Sequence, residues 1–337
     1  MAGPMVSRTE LEAEHCWLDH DEVPRDPWMT EFRRRVRHHH ARWRHDNGFP
    51  IGTHRVRPGT EPRLIGSQLD VEFARETGAS FLTTRARNVA HARAELVEPH
   101  QIFNQQSFWA DLLSSEALAV NLFGDLASDL DRATRAVQAW WPGTPGRVTE
   151  VRFAHSPGRL DPTYSNSRRS FDALFVLELP DGSNGALAVD VTYRELIERK
   201  GVKAAHLPRF IDIHDRSGAF TPDTADRLHR SRLAMVWLEH LLLLSMLQHE
   251  SGRWTWGRYA MVHPAANTNV AGAIDAYRDV LRDDRTFAAS TIEELLAAKV
   301  LAPKTGAALR RRYVPAHLTP SDLDGTNDLH PNRESTP

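Results

Sequence analysis

The stretch RSFDALFVLELPDGSNGALAVDVTYRE, Arg169 to Glu195, decides the architecture of this chain. Two apolar runs rich in β-branched and aromatic residues flank Asp181-Gly182-Ser183-Asn184-Gly185, so the stretch predicts a β-hairpin. Each run carries one aspartate, Asp172 in the first and Asp190 in the second. A carboxylate in an apolar strand costs several kcal/mol unless it is paired or metal-bound. Alternation of side chains puts Leu187, Val189, Val191 and Tyr193 on one face and Ala188, Asp190, Thr192 and Arg194 on the other. In the preceding strand Phe171, Ala173, Phe175, Leu177 and Leu179 share a face, while Asp172 shares its own with Leu174 and Val176. A strand apolar on both faces is central in its sheet, which places Asp172 near the strand's start and partly buried.

A hard divalent cation would explain such a pair. Mg²⁺ takes oxygen ligands, commonly one or two carboxylates with waters and a substrate phosphate. A bound metal ion can generate hydroxide from water and offset charge on a phosphate. Without a cation, two neighbouring carboxylates repel and one holds its proton. The plain alternative has Asp172 capping a strand entry and Asp190 facing solvent, and spacing alone leaves both readings open.

Outward from the hairpin, Val148 to Ala154 reads as a strand and Ser156 to Arg168 as a polar turn region. Upstream, Phe108 to Trp141 is helical and apolar on one face, with Gly124 as a point of kinking or splitting and Pro142 to Gly146 as a stop. Asp26-Pro27 opens a helix that ends near Gly48. Gly48 to Gly66 reads as loop, and Gln68 to Thr77 and Thr83 to Val97 as helices. Downstream come a helical segment after Leu196, a buried helix over Ala225 to Gln248, a strand over Trp254 to His263, and a helix from Asn267-Thr268-Asn269 through Leu281. Ser290-Thr291-Ile292-Glu293 reads as a capping box opening the last helices. Thr319 to Pro337 has little to bury and reads as a disordered tail. This order gives an α/β core rather than a bundle or a sandwich.

A formal net charge of −2 over 337 residues excludes a uniformly basic coat, so phosphate contacts would have to come from local patches. The single cysteine, Cys16, excludes an internal disulfide framework and a multi-cysteine zinc site. No apolar leader is visible, and Leu233 to Leu247 is short and broken by Glu239 and His240; the expectation is a cytoplasmic protein with no membrane contact. That helix is most simply core, with a homodimer interface as the second reading. The first long helix carries Arg33, Arg34, Arg35, Arg37, Arg42 and Arg44 beside His38 to His40, opposite Phe32, Val36 and Trp43. It could grip phosphates through Arg34, Arg37 and Arg44, or be a solvated face whose stems cover apolar neighbours. No GxSxG elbow, P-loop or dinucleotide GxGxxG is present.

Several ordered segments carry a resemblance. They are Gly48-Phe49-Pro50-Ile51-Gly52, Gly66-Ser67-Gln68-Leu69, Phe81-Leu82-Thr83, Leu113 to Gly124, Val151 to Arg159, Ser170-Phe171-Asp172-Ala173 and Val189-Asp190-Val191-Thr192-Tyr193. Over roughly residues 40 to 300 the chain resembles a bacterial PD-(D/E)XK nuclease-like family. The resemblance implies a restriction-endonuclease-like α/β fold, a mixed sheet flanked by helices, and Mg²⁺- or Mn²⁺-dependent cleavage of DNA. Defence against foreign DNA, alone or with a partner protein in an assembly, is one use such an enzyme would have. Asp172 and Asp190 take the metal-ligand positions, with Glu150 and Glu116 as candidates for a third carboxylate, and Arg159 joins the DNA-binding candidates. Two departures stand out: Thr192 occupies the position of the catalytic lysine, and Ala154 that of a glutamate. Arg194, Lys200 and Lys203 are candidates to replace the lysine's charge. The expected division is a mainly helical extension over 1–104, the nuclease-like core over 105–318 and the tail over 319–337. The rival to a working endonuclease is a catalytically degenerate fold kept as a DNA-binding or assembly subunit.

Overall fold

The apolar runs around the two aspartates form the middle of a five-stranded mixed sheet. Its strands are β3 (Arg147–His155), β4 (Phe171–Glu178), β5 (Asn184–Val191), β6 (Trp254–His263) and β7 (Phe287–Thr291), in that spatial order. β3, β4 and β5 form an antiparallel meander; β6 and β7 join it in parallel, each after a helical crossover. These features come from a computed structural model, which describes residues 6–18, 21–22, 27–54, 61–199 and 201–315. The expected tail over 319–337 lies outside the described residues.

Helices cover both faces of the sheet. One face carries Phe175, Leu187 and Val189 against α6 (Ser115–Phe123), α7 (Leu130–Trp140), α12 (Ile292–Ala297) and α13 (Pro303–Tyr313). The other carries Leu174, Ala186 and Ala188 against α8 (Leu207–Ser217), α9 (Ala225–Arg230), α10 (Ala234–Leu247) and α11 (Thr268–Arg278). This α/β sandwich is the fold class the hairpin predicts. α10 is apolar around its circumference, as a helix enclosed on all sides must be. From Val236 to Met246 every residue is buried save Glu239. His240 is buried neutral, bonded to Tyr277 Oη and Thr286 Oγ1 at 3.0 Å each, and burial pushes its pKa down to about 3.

The N-terminal region is mainly helical, with α1 (Arg8–Ala13), α2 (Pro27–Asp46), α3 (Val71–Thr77), α4 (Thr84–Glu95) and α5 (Gln105–Ala110). Phe32 and Val36 of α2 lie in the same apolar cluster as the sheet. Tyr193, just past β5, donates from its hydroxyl to the Tyr313 carbonyl and meets His40 Nε2 of α2, both at 3.1 Å.

Several element expectations need correction. The punctuated stretch Gly48 to Gly66 is not all loop: β1 (Ile51–His54) pairs antiparallel with β2 (Arg63–Leu69), which also takes Gln68 and Leu69 from the expected helix. Glycine is required once for the strand pairing and once where β2 meets the N-terminal segment. A Cβ on Gly52 would lie 2.1 Å from the Leu69 carbonyl oxygen, and one on Gly66 1.8 Å from that of Glu14. The helix expected over Phe108 to Trp141 is broken where Ser114 caps α6, again at a 3-10 turn over Gly124–Ser128, and where Asp129 caps α7. The helix over Ala225 to Gln248 is two, α9 and α10. β7 had no counterpart in the sequence reading. The capping box stands one residue later than expected, Thr291 with Glu294.

Candidate active site

The β4–β5 register pairs Ala173 with Val189, so one step further Asp172 faces Asp190 where the two strands stop pairing. The aspartates replace the missing rungs of the ladder. The Val191 N–H donates to Asp172 Oδ2 at 2.8 Å, and the Asp172 N–H donates to Asp190 Oδ1 at 3.1 Å. From β6, Tyr259 donates its hydroxyl to Asp190 Oδ2 at 3.0 Å. Both aspartates are half-buried on the floor of a cavity of about 270 Å³, walled by Ser115, Thr192, Glu195 and Glu239.

Burial dominates the electrostatics. It pushes the Asp172 carboxyl up to about 8, against the Val191 hydrogen bond and with help from Glu116, Glu195 and Glu239. Burial also raises Asp190 well above the usual carboxylate range, aided by Glu239 and Asp172. Glu239 is itself raised by burial, although Arg169 opposes the shift through an ion pair and hydrogen bond. Two adjacent carboxyls, both hard oxygen donors and both reluctant to ionise, match the chemistry of a divalent-cation site. A third ligand does not accompany them: among the described residues no cluster of three His, Cys, Asp or Glu side chains is arranged to hold an ion.

The family comparison agrees with this geometry. Residues 25–315 match the family model described as the PD-(D/E)XK nuclease superfamily. The chain belongs to that superfamily. No curated protein and no solved structure matches it. Nucleases of this superfamily generally use divalent metals.

The structure separates the other expected site residues. Thr192 walls the carboxylate cavity, and its N–H donates to the Val262 carbonyl at 2.8 Å, continuing the β5–β6 pairing. Arg194 shares strand parity with Asp190 only on paper, because β5 ends at Val191 and the chain bends. Its guanidinium turns to Asp111 at 2.5 Å, in a different cavity. Lys203 stands on a cavity next to the carboxylates, while Lys200 lies outside the described residues.

Glu150 is not near the pair. It sits opposite Val176, four residues along β4 from Asp172, or about 13 Å at the strand rise of ~3.3 Å per residue. It pairs with Arg152 at 2.6 Å in a cavity of its own. Glu116 raises Asp172 at a distance, but its carboxylate pairs with Arg93 at 3.0 Å. Ala154 is buried, and its carbonyl accepts from Arg159 at 2.9 Å.

The phosphate-gripping reading of α2 also needs correction. Arg37 is buried, ion-paired with Asp21 and donating to the Cys16 carbonyl at 3.0 Å. Arg34 donates to the Asp21 carbonyl at 2.6 Å and lies 4.6 Å over the Trp17 ring. Arg44 donates to the carbonyls of Gly66 and Phe49 at 2.9 and 3.0 Å. Arg159 pairs with Glu98, with 2% of its side chain exposed. These guanidiniums hold the N-terminal elements and the β3 turn in place.

Sequence reasoning missed Arg169, Glu195, Glu239, Tyr259 and Ser115. Ser115 joins α6 to the end of β5: its hydroxyl accepts from the Tyr193 N–H at 3.1 Å and donates to Glu195 at 2.8 Å. One of the five had a readable signal. A glutamate inside the most apolar stretch of the chain needs a buried partner, and Glu239 has Arg169.

Proposed function

We propose that this protein is a metal-dependent nuclease that hydrolyses phosphodiester bonds in DNA, acting in the cytoplasm. The observation that carries the reading is the facing pair Asp172 and Asp190 at the ends of the two central strands, within a superfamily of nucleases. Asp172 and Asp190 would hold Mg²⁺ or Mn²⁺. Held there, such an ion would supply a hydroxide nucleophile near neutral pH and would offset charge on the phosphate and the leaving oxygen. The chain's own contributions are positional. Tyr259 and the Val191 N–H fix the carboxylate orientations, and α10 and Ser115 wall the site. Arg169 is the guanidinium on the cavity wall, standing where a phosphate could displace Glu239 from it.

A second reading has its own observation. Thr192 carries no charge, and the one arginine on this cavity's wall is already paired with Glu239. A site short of free positive charge would bind DNA without cutting it, as an assembly subunit would. Incubating purified protein with supercoiled and linear DNA, with Mg²⁺, Mn²⁺ or EDTA, decides between them. The nuclease reading expects metal-dependent nicking or cleavage that Asp190→Asn reduces at least a hundredfold. Cleavage that persists in Asp190→Asn, or no cleavage with either metal, overturns it.

A further inference from the structure

The carboxylate cavity has a larger neighbour. A second cavity of about 680 Å³ meets it along a shared wall of Arg169, Ser170, Met235 and Glu239. Its floor is apolar, built from Phe210 of α8 and Met235 and Leu238 of α10, with His206 at its side. Its rim is cationic. Arg168 and Lys203 are both exposed, and among the described residues neither side chain has an ion-pair or hydrogen-bond partner. The contrast with the α2 candidates is direct: there Arg34, Arg37 and Arg44 are bound to the protein, while here two cations face solvent beside the site's acids.

An apolar floor, polar walls and an unneutralised cationic rim fit a nucleoside with its phosphate. The base has flat apolar faces and polar edges, and the phosphate carries the charge. The volume lies within the range of roughly 300–1,000 Å³ of small-molecule sites, and a base that is stacked and paired in a duplex cannot lay its face on this floor. A strand with one phosphate at Asp172 and Asp190 would carry its next nucleotide across the shared wall. We propose that this second cavity receives one unpaired nucleotide beside the phosphate held at the carboxylate pair. The substrate is then DNA with a strand end or a single-stranded segment at the cut, rather than an uninterrupted duplex.

The inference rests on the nuclease reading, and the test separates the two. Full-length Asp190→Asn protein, which blocks cleavage, is titrated with fluorescent duplexes that are blunt or carry a three-nucleotide single-stranded tail. Tailed DNA should bind about tenfold tighter, the size of one stacked base. Val202→Trp fills the second cavity from its outer wall without touching the carboxylates, and Lys203→Ala removes a rim cation. Each should reduce the tail preference to less than threefold, while blunt-duplex affinity in Val202→Trp stays at the parent's value and reports a folded protein. A 2-aminopurine at the first tail position should lose its unpaired brightness on binding to the parent and keep it with Val202→Trp. Equal binding of tailed and blunt DNA by the parent overturns this inference and leaves the nuclease reading standing, as does a tail preference that survives Val202→Trp. Failure to bind either DNA, with no cleavage by the wild type, overturns both.

Discussion

Replacing Asp172 by asparagine should stabilise the cation-free protein at pH 8 and leave its stability unchanged at pH 4. Burial raises the Asp172 pKa from 3.8 to about 8, so the folded state binds its proton more tightly than the unfolded chain does. Between those two values the unfolded chain has released the proton while the folded one retains it. Stability is therefore fully present below pH 3.8 and is lost as pH rises through about 8. At about 1.4 kcal/mol per pH unit, the full shift corresponds to at most about 6 kcal/mol. Water in the open cavity screens the charge, and a realistic loss is ~1–3 kcal/mol. Asparagine keeps an oxygen to accept from the Val191 N–H and carries nothing to titrate. Urea unfolding of wild type and Asp172→Asn in EDTA, from pH 4 to pH 9, measures the difference. Adding Mn²⁺ at about a hundred times its Kd should return about 2.7 kcal/mol to the wild type at pH 8 and nothing to the variant. A wild-type stability that is flat with pH, or an Asp172→Asn protein less stable at pH 8, would refute the burial argument.

Three further outcomes follow from the geometry. Thr192→Lys should raise Mn²⁺-dependent cleavage at least tenfold, because the new ammonium would extend from the wall of the carboxylate cavity; single-turnover rates on plasmid DNA measure it. Arg37→Gln should cost about 1.5–3 kcal/mol by removing a charged hydrogen bond to buried Asp21 while Arg34 stays 3.6 Å from it, with the salt dependence of DNA binding unchanged; urea midpoints and salt titrations read the two effects. Arg169→Gln should raise the Glu239 pKa further by removing the one group that opposes burial there, and, if the nuclease reading holds, lower the cleavage rate; the carboxyl titrates by NMR, and an unmoved pKa would refute the pairing.

Legibility in the sequence followed locality. β3 to β6 were readable because each is long enough to show its period, and Asp172 and Asp190 were readable because they interrupt the apolar runs of β4 and β5. β7 was not: Phe287-Ala288-Ala289-Ser290-Thr291 is short, and its small residues match a loop or a helix start as well as a strand. The β1–β2 hairpin was hidden by the same prolines and glycines that let it form. Strand parity placed Arg194 beside Asp190, and parity fails once a strand ends. Arg169, Glu239 and Tyr259 come from three separate places in the chain, and only the sheet order and the crossing of α10 bring them together. The α2 arginines looked like a charged stripe because their acceptors, Asp21, the Cys16 carbonyl and the Gly66 carbonyl, lie on other elements.

The hydrogen bonds between the aspartates and the strand ends carry one more consequence. Val191 bonds to Asp172 and Asp172 bonds to Asp190, so the side chains close a hairpin whose backbone ladder has run out. The two residues are fasteners as well as candidate metal ligands. Loss of cutting would relax the demand on the position of Thr192, yet loss of either aspartate would still loosen the mouth of the central hairpin. A chain of this fold that did not cleave DNA would have architectural reasons to keep both acids, so their presence alone is no test of activity.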